Sequence, residues 1–250
     1  MARVAVVTGA AKGIGAAIAG ALADAGCELA LIDREDAAEQ ARGGLAVRGD
    51  VADLADVRDF ADAVLERFGR VDVLVNNAGV SSIGPAESTP VEEWRRVLDV
   101  NLTGPFLLCQ AFGARMLEQG AGAIVNVASI AGLRGVSDRV AYNASKHGVI
   151  GMTRTLAAEW GGRGVRVNAV CPGWVRTPMD VADQAAGGYD DADITEQVPM
   201  GRFAAPQDIA AAVAWLADPA QAAFVNGVAL PVDGGWIADV SWTSLRLRKR

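Results

Sequence analysis

Cysteine is scarce in this 250-residue chain. The three present, Cys27, Cys109 and Cys171, are odd in number, far apart and never in a Cys-x-x-Cys pair. Neither a disulfide framework nor a zinc site is suggested, no metal is expected, and a reducing cytoplasm fits. Histidine is scarcer: His147 stands alone, beside Lys146 and about 100° round the same expected helix. A serine hydrolase needs a histidine base, and "NVASIAG" around Ser129 is not the Gly-x-Ser-x-Gly elbow of such folds, so that chemistry is rejected. Positive charge is in deficit, with 23 Lys and Arg against 30 Asp and Glu for a net charge of -7, which argues against a nucleic-acid groove. Only the end of the chain, Arg246 to Arg250, is basic, and it reads as a solvated tail. No stretch approaches the roughly 18 uninterrupted apolar residues of a membrane span. The opening "MARVAVVTGAAKG" has too short an apolar run, broken at Lys12, for a signal peptide.

What the chain has in quantity is apolar residues, 51%, and glycine, 29 residues, enough for a sizeable core and many tight turns. Short Val-, Ile- and Leu-rich runs alternate with Ala-rich stretches of helix length. The runs are Val4 to Val7, Leu29 to Ile32, Val71 to Val75, Ile124 to Val127, Val165 to Val170, and Val225 to Leu230. Near-continuous apolar strands covered on both faces by crossover helices are those of a doubly wound parallel α/β sheet, here of about seven strands. No linker or repeat divides residues 1–250, so one domain is expected.

The least regular stretch, Thr177 to Ala205, reads as a flap over a site. The helix expected from Val140 to Trp160 is apolar or small on most sides and must be covered by more than the sheet. A partner subunit, hence a homo-oligomer, is therefore expected there.

The first strand runs into "TGAAKGIG", Thr8 to Gly15, and an Ala-rich helix follows. Gly9, Gly13 and Gly15 let the chain turn sharply and bring backbone N–H groups to a phosphate at a helix N-terminus. Asp33 closes the next strand, eighteen residues past Gly15, where a carboxylate accepts both hydroxyls of an adenosine ribose and repels a 2′-phosphate. NAD is therefore expected over NADP, although Lys12 and Arg34 stand close enough in sequence to cradle a phosphate. "GDV", Gly49 to Val51, and "NNAG", Asn76 to Gly79, follow the third and fourth strands, where a ligand meets strand ends.

Tyr142 and Lys146 in "YNASK" share one helix face, four residues apart. Bringing a phenol from a pKa of about 10 to about 7 takes roughly 4 kcal/mol. A positive charge at about 4 Å supplies that at an effective dielectric near 20, and only about 1 kcal/mol in bulk water. The pair is useful in a partly dry cleft and idle on a wet surface.

With these segments in place, the sequence resembles a classical short-chain dehydrogenase/reductase over nearly its whole length. The match rests on "TGAAKGIG", Asp33, "GDV", "NNAG", Asn101 in "VNLTG", Ser129 in "NVAS", "YNASK", "PGWVRT" from Pro172 to Thr177, and "DGG" from Asp233 to Gly235. The resemblance implies a Rossmann-like fold and hydride exchange between NAD(H) and a secondary alcohol or ketone. It makes Tyr142 the general acid/base, Ser129 a donor to the same substrate oxygen, Lys146 a partner of the nicotinamide ribose, and Asn101 the support of a proton relay. It extends the cofactor site to Ile14, Asp50, Val51, Asn77, Ala78, Gly79, Pro172, Gly173, Val175 and Thr177.

Leu133, Arg134, Trp174 and Met179 would wall the substrate, with Tyr189 or Phe203 nearby. Trp236, Ile237 and Trp242 in the extension 236–250 suggest that part of it packs. Two rivals remain. One is an NADPH-dependent 3-oxoacyl-carrier-protein reductase, disfavoured by Asp33 and by the lack of a cation in "EQGAG" for an acidic carrier. The other is a non-catalytic dinucleotide-binding regulator, which usually shows a broken Ser, Tyr or Lys.

Overall fold

Apolar, β-branched runs stay extended where helices cover both faces of the sheet they join. In the computed structural model, which describes residues 2–187 and 189–241, seven runs form one sheet. They are β1 (Arg3–Thr8), β2 (Cys27–Asp33), β3 (Leu45–Arg48), β4 (Val73–Asn76), β5 (Gly122–Val127), β6 (Val165–Pro172) and β7 (Ala229–Val232). The order is β3-β2-β1-β4-β5-β6-β7 and every neighbouring pair is parallel, with Val6 of β1 between Ala30 of β2 and Leu74 of β4. Winding reverses between β1 and β4, which opens a crevice at the carboxyl ends of these strands.

Alternate side chains of each strand enter opposite layers. Ala5 and Val7 meet α1 (Gly13–Asp24) and α8 (Pro206–Ala217) through Ile18, Leu22, Ile209 and Val213. Val6 and Ile32 face α2 (Leu54–Phe68) and α4 (Gly104–Gln119), where Phe60 meets Phe112 edge to face at 5.9 Å between centroids. α5 (Val140–Trp160) closes this second layer with the bounds its pattern predicts. One of its faces, with Ala141, Ser145, Val149, Ile150 and Thr153, is buried, while His147, Gly151, Arg154, Thr155 and Ala158 are exposed.

α3 (Val91–Leu98) runs through a π turn at Asp99–Thr103 into α4. The continuous stretch Val91–Gln119 is long and apolar enough to cross a membrane by length and composition. Here it brings Leu108, Cys109, Phe112 and Met116 into the core beside the sheet.

Two expectations need correction. The last strand begins at Ala229 rather than Val225, because Asn226 caps neighbouring chain ends. Its side chain accepts Val167 N–H at 2.8 Å and donates to Ala157 O at 2.9 Å, and Gly227 turns at φ +78. The stretch after Thr177 is more regular than expected: it holds α6 (Pro178–Gly187) and α7 (Asp191–Thr195). Pro178 starts α6, and Asp190 and Asp193 form a reciprocal capping box on α7. The stretch is closed at its base by Arg176 N–H to Ala204 O and Ala204 N–H to Trp174 O, at 3.0 and 2.9 Å.

The Phe60–Phe112 contact makes one point of the core easy to test. Phe112→Ala should cost about 3–5 kcal/mol in urea unfolding. The exposed Phe106→Ala on the same helix should stay within about 0.5 kcal/mol.

Candidate active site

Between β1 and α1 the chain reverses in four residues, and the geometry explains the glycines of this turn and of the helix start that follows it. Gly9 sits at φ +63, and a Cβ there would lie 2.8 Å from Ala78 Cα; one on Gly15 would lie 2.0 Å from Gly9 O. Gly13 has room around it but also needs a positive φ, +58. The Asn77 amide pins the turn by donating to Thr8 O and Gly9 O, each at 3.0 Å, while Thr8 Oγ1 accepts the N–H groups of Asn77 and Ala78. Lys12 at the head of α1 supplies no side-chain cap, so the first N–H groups of that helix are fitted to an outside anion such as a pyrophosphate.

Every residue expected to hold the cofactor lines one cleft of about 700 Å³. Asp33 lines it at the carboxyl end of β2, oriented by N–H bonds from Ala11 to Oδ2 and from Glu35 to Oδ1, both 2.9 Å. These take two of a carboxylate's roughly four acceptor positions and leave the others open to a donor. Two of the nearby cations face carboxylates: Lys12 pairs with Glu35, and Arg34 Nε lies 3.9 Å from Asp50 Oδ2. Arg48, which the sequence reading passed over, also lines the cleft and donates to Arg34 O at 2.8 Å. Gly173 lies so close to the β7 end that a Cβ would sit 2.8 Å from Asp233 Cα. Thr177 Oγ1 accepts Asp180 N–H at the start of α6, at 3.2 Å.

The same cleft contains Ser129, Tyr142 and Lys146. Ser129 follows β5 and is oriented by Ala131 N–H, which donates to its Oγ at 3.1 Å. Lys146, 4% exposed, donates to Val127 O at 2.9 Å and lies 5.6 Å from the Tyr142 ring centroid. Burial lowers the Lys146 pKa to about 8. The drop in the Tyr142 pKa expected from Lys146 is not found. Burial raises it, opposed first by a hydrogen bond with Ser129 and then by the Arg139 charge. The ammonium is anchored on a carbonyl beside the ring, and the dry site disfavours both charged forms.

Asn101 lies behind the cleft rather than on it, in the π turn. Its amide accepts Val80 N–H at 2.8 Å and donates to Val80 O at 2.9 Å and Ser145 Oγ at 3.2 Å. Of the expected substrate walls, Trp174 and Met179 line the cleft, whereas Leu133 and Arg134 do not. Leu133 packs beside Val149 and Ile150, and Arg134 donates to Ile237 O, tying down the extension that Trp236 and Ile237 were expected to pack. Trp242 lies outside the described residues. Tyr189 stacks edgewise on Trp174 at 5.5 Å, and Phe203 lies under the Arg176 guanidinium at 3.8 Å, neither on the cleft lining. His147 is exposed, with Nδ1 2.9 Å from Asn143 O.

The sequence reading missed Arg139, Asp180 and Asp183, which line the cleft beyond Tyr142. Arg139 stands three residues before Tyr142.

A parallel sheet with its glycine turn and a Ser, Tyr and Lys at one strand-end cleft defines a nucleotide-binding oxidoreductase architecture. The family model described as "Enoyl-(Acyl carrier protein) reductase" matches residues 9–237. D-threitol dehydrogenase of Mycolicibacterium smegmatis is 50% identical over 94% of this chain and 92% of its own length. A proposed NAD(P)-dependent gluconate 5-dehydrogenase from Beutenbergia cavernae, with NADP at low occupancy, superimposes at TM-score 0.88 with 46% identity over 95% of this chain and 97% of that one. The 3-ketoacyl-(acyl-carrier-protein) reductase of Brucella melitensis, complexed with NADH, does so at 0.87 with 35% identity over 94% and 98%. The chain belongs to the short-chain dehydrogenase/reductase family and is an oxidoreductase.

The buried Lys146 gives stability a pH signature. Its folded pKa of about 8 lies below the ordinary 10.5, so the unfolded chain binds more protons between these values and stability rises as pH climbs from 8. Cys109 and Cys171, pushed by burial to about 12 and about 11 from 9.0, act oppositely above pH 9. In urea unfolding the stability of the wild type relative to Lys146→Met should therefore rise by about 1 kcal/mol from pH 8 to 9, since the thiols act equally on both proteins, and both should lose stability beyond pH 9.

Proposed function

We propose that this protein is an NAD-dependent dehydrogenase/reductase that interconverts a secondary alcohol and a ketone, with Tyr142 as its general acid/base. The observation that carries the reading is the meeting of Ser129, Tyr142 and Lys146 in the cleft that the glycine turn opens. A bound nicotinamide would supply the hydride acceptor or donor. The Tyr142 phenol gives its proton to the ketone oxygen or takes one from the alcohol, and Ser129 Oγ holds that oxygen in line. Lys146 places its charge under the ring and favours the phenolate at the moment it forms. Asn101 fixes the Val80 segment and Ser145 around Gly79, whose Cβ position would be 3.3 Å from Asn101 Oδ1 and 3.7 Å from Lys146 Nζ. Asn101 is thus a positioning residue here.

Asp33, with Glu35 and Asp50 engaging Lys12 and Arg34, supports NAD over NADP. The neighbouring structures hold NADP in two cases and NADH in one, so the preference rests on these side chains. One relative, 44% identical, is described as an inactive 2-(S)-hydroxypropyl-CoM dehydrogenase, so family membership alone does not decide catalysis. The intact Ser, Tyr and Lys favour an enzyme over a regulator. Two carboxylates at the cleft wall, Asp180 and Asp183, disfavour docking of an acidic carrier protein. Three buried, unpaired thiols fit a reducing compartment.

Tyr142→Phe should lower kcat at least about 10³-fold while the dissociation constant for NADH stays within about threefold. Retained turnover would remove the phenol from the mechanism, and NADPH favoured over NADH would overturn the cofactor assignment.

The exposed α5 face of His147, Gly151 and Ala158 is proposed to meet a second copy of the chain. Light scattering at micromolar concentration should give a multiple of the single-chain mass; a monomer would refute it.

A further inference from the structure

The cleft wall beyond Tyr142 is charged where a pocket for a simple alcohol would be apolar. Arg139 heads α5, its side chain 9% exposed, and Nη1 donates to Asp183 Oδ2 at 2.8 Å and to Ser81 Oγ at 2.7 Å. Nη2 reaches the Tyr189 hydroxyl at 3.3 Å, and the guanidinium carbon is 6.0 Å from the Tyr142 ring centroid. On α6, Asp180 lies one turn before Asp183. Its side chain is 6% exposed, its Oδ2 has no hydrogen-bond donor, and Arg176 Nη1 comes only to 3.8 Å. Arg139, Asp180 and Asp183 line the same cleft as Tyr142, and Asp183 also borders an adjoining cavity of about 500 Å³ edged by Ser81, Ser82, Ser88 and Thr89.

The chemistry of these groups excludes most partners. An apolar chain laid here would strip water from the ion pair and leave Asp180 without a donor. A substrate carboxylate would have to displace Asp183 from Arg139 while facing Asp180, whose nearest cation, Arg176, is already held by Asp191 at 2.6 Å. A neutral hydroxyl meets both needs, since it donates to a carboxylate and accepts from a guanidinium at once. We propose that Arg139, Asp180 and Asp183 form a hydroxyl-reading subsite, so that the preferred substrate is an uncharged polyol with a second hydroxyl one or two carbons from the reacting one. This rests on the reading of Tyr142 as the group that exchanges the proton with the reacting oxygen. The Ser- and Thr-edged cavity beyond Asp183 gives a longer polyol chain room for its further hydroxyls.

The test compares NADH formation from butane-2,3-diol and short sugar alcohols with that from butan-2-ol and 2-hydroxybutanoate, in the wild type and in Asp180→Asn, Asp183→Asn and Arg139→Lys. The asparagine variants keep side-chain size and remove a charge, while Arg139→Lys keeps the charge and removes the guanidinium fork. In the wild type, kcat/KM for the best diol or polyol should exceed that for the mono-alcohol and the hydroxy acid by at least about tenfold. In the variants that ratio should fall toward one. If the variants lower diol and mono-alcohol by the same factor, the cluster merely holds α6 in place and the subsite is refuted. A wild-type preference for the hydroxy acid or the mono-alcohol refutes it as well. Absence of turnover with every alcohol, alongside normal NADH binding, would instead bring down the dehydrogenase reading on which the subsite rests. Should one asparagine variant not fold, Arg139→Lys reports the same ratio.

Discussion

The approach of α5 to the carboxyl end of β5 is the constraint on which the rest of the site depends. Lys146 is driven into a dry space, and its ammonium is held there by one strand-end carbonyl, Val127 O. The helix comes so close to the turn after Ser129 that a Cβ on Gly132 would lie 2.7 Å from Lys146 O. That proximity sets Tyr142, one helical turn earlier, beside Ser129.

A dry site has an electrostatic consequence. Burial drives the Lys146 ammonium toward neutrality and the Tyr142 phenol away from ionisation, so neither charge is favoured in isolation. Stabilisation of one charged form then depends on the others present in the cleft, including Arg139, which lowers the Tyr142 pKa, and Asp183, which raises it. The pair that shapes the outer wall therefore also bears on the Tyr142 phenol. The same preorganised surroundings that oppose a resting charge act strongly on one that develops during reaction.

Much of this was legible in linear order because it arises from short-range necessity. A glycine that must take a positive φ, a strand buried on both faces and a Tyr and Lys on one helix face each leave a local trace: "TGAAKGIG", Val4 to Val7, and "YNASK". The helix Val140–Trp160 was readable to its bounds for that reason. The last strand was misread at its start because Asn226 owes its role to Val167 and Ala157, far away in sequence. Arg134 looked like a substrate ligand from its place after Ser129, yet the chain's far end, at Ile237, takes its donor. Arg139 and Asp183 were missed because an ion pair 44 residues apart has no period.

The sequence by itself determined the sheet, the phosphate-fitted turn, and the identity of the Ser, Tyr and Lys, since each follows from backbone conformation or helical spacing. Tertiary structure alone decided which charges are neutralised and which groups are dry. Only folding brings Arg139, Asp183 and Ser81 from three elements into contact and sets Asp180 beside them. Pairing and desolvation depend on distances between segments, and those distances exist only once the layers have packed.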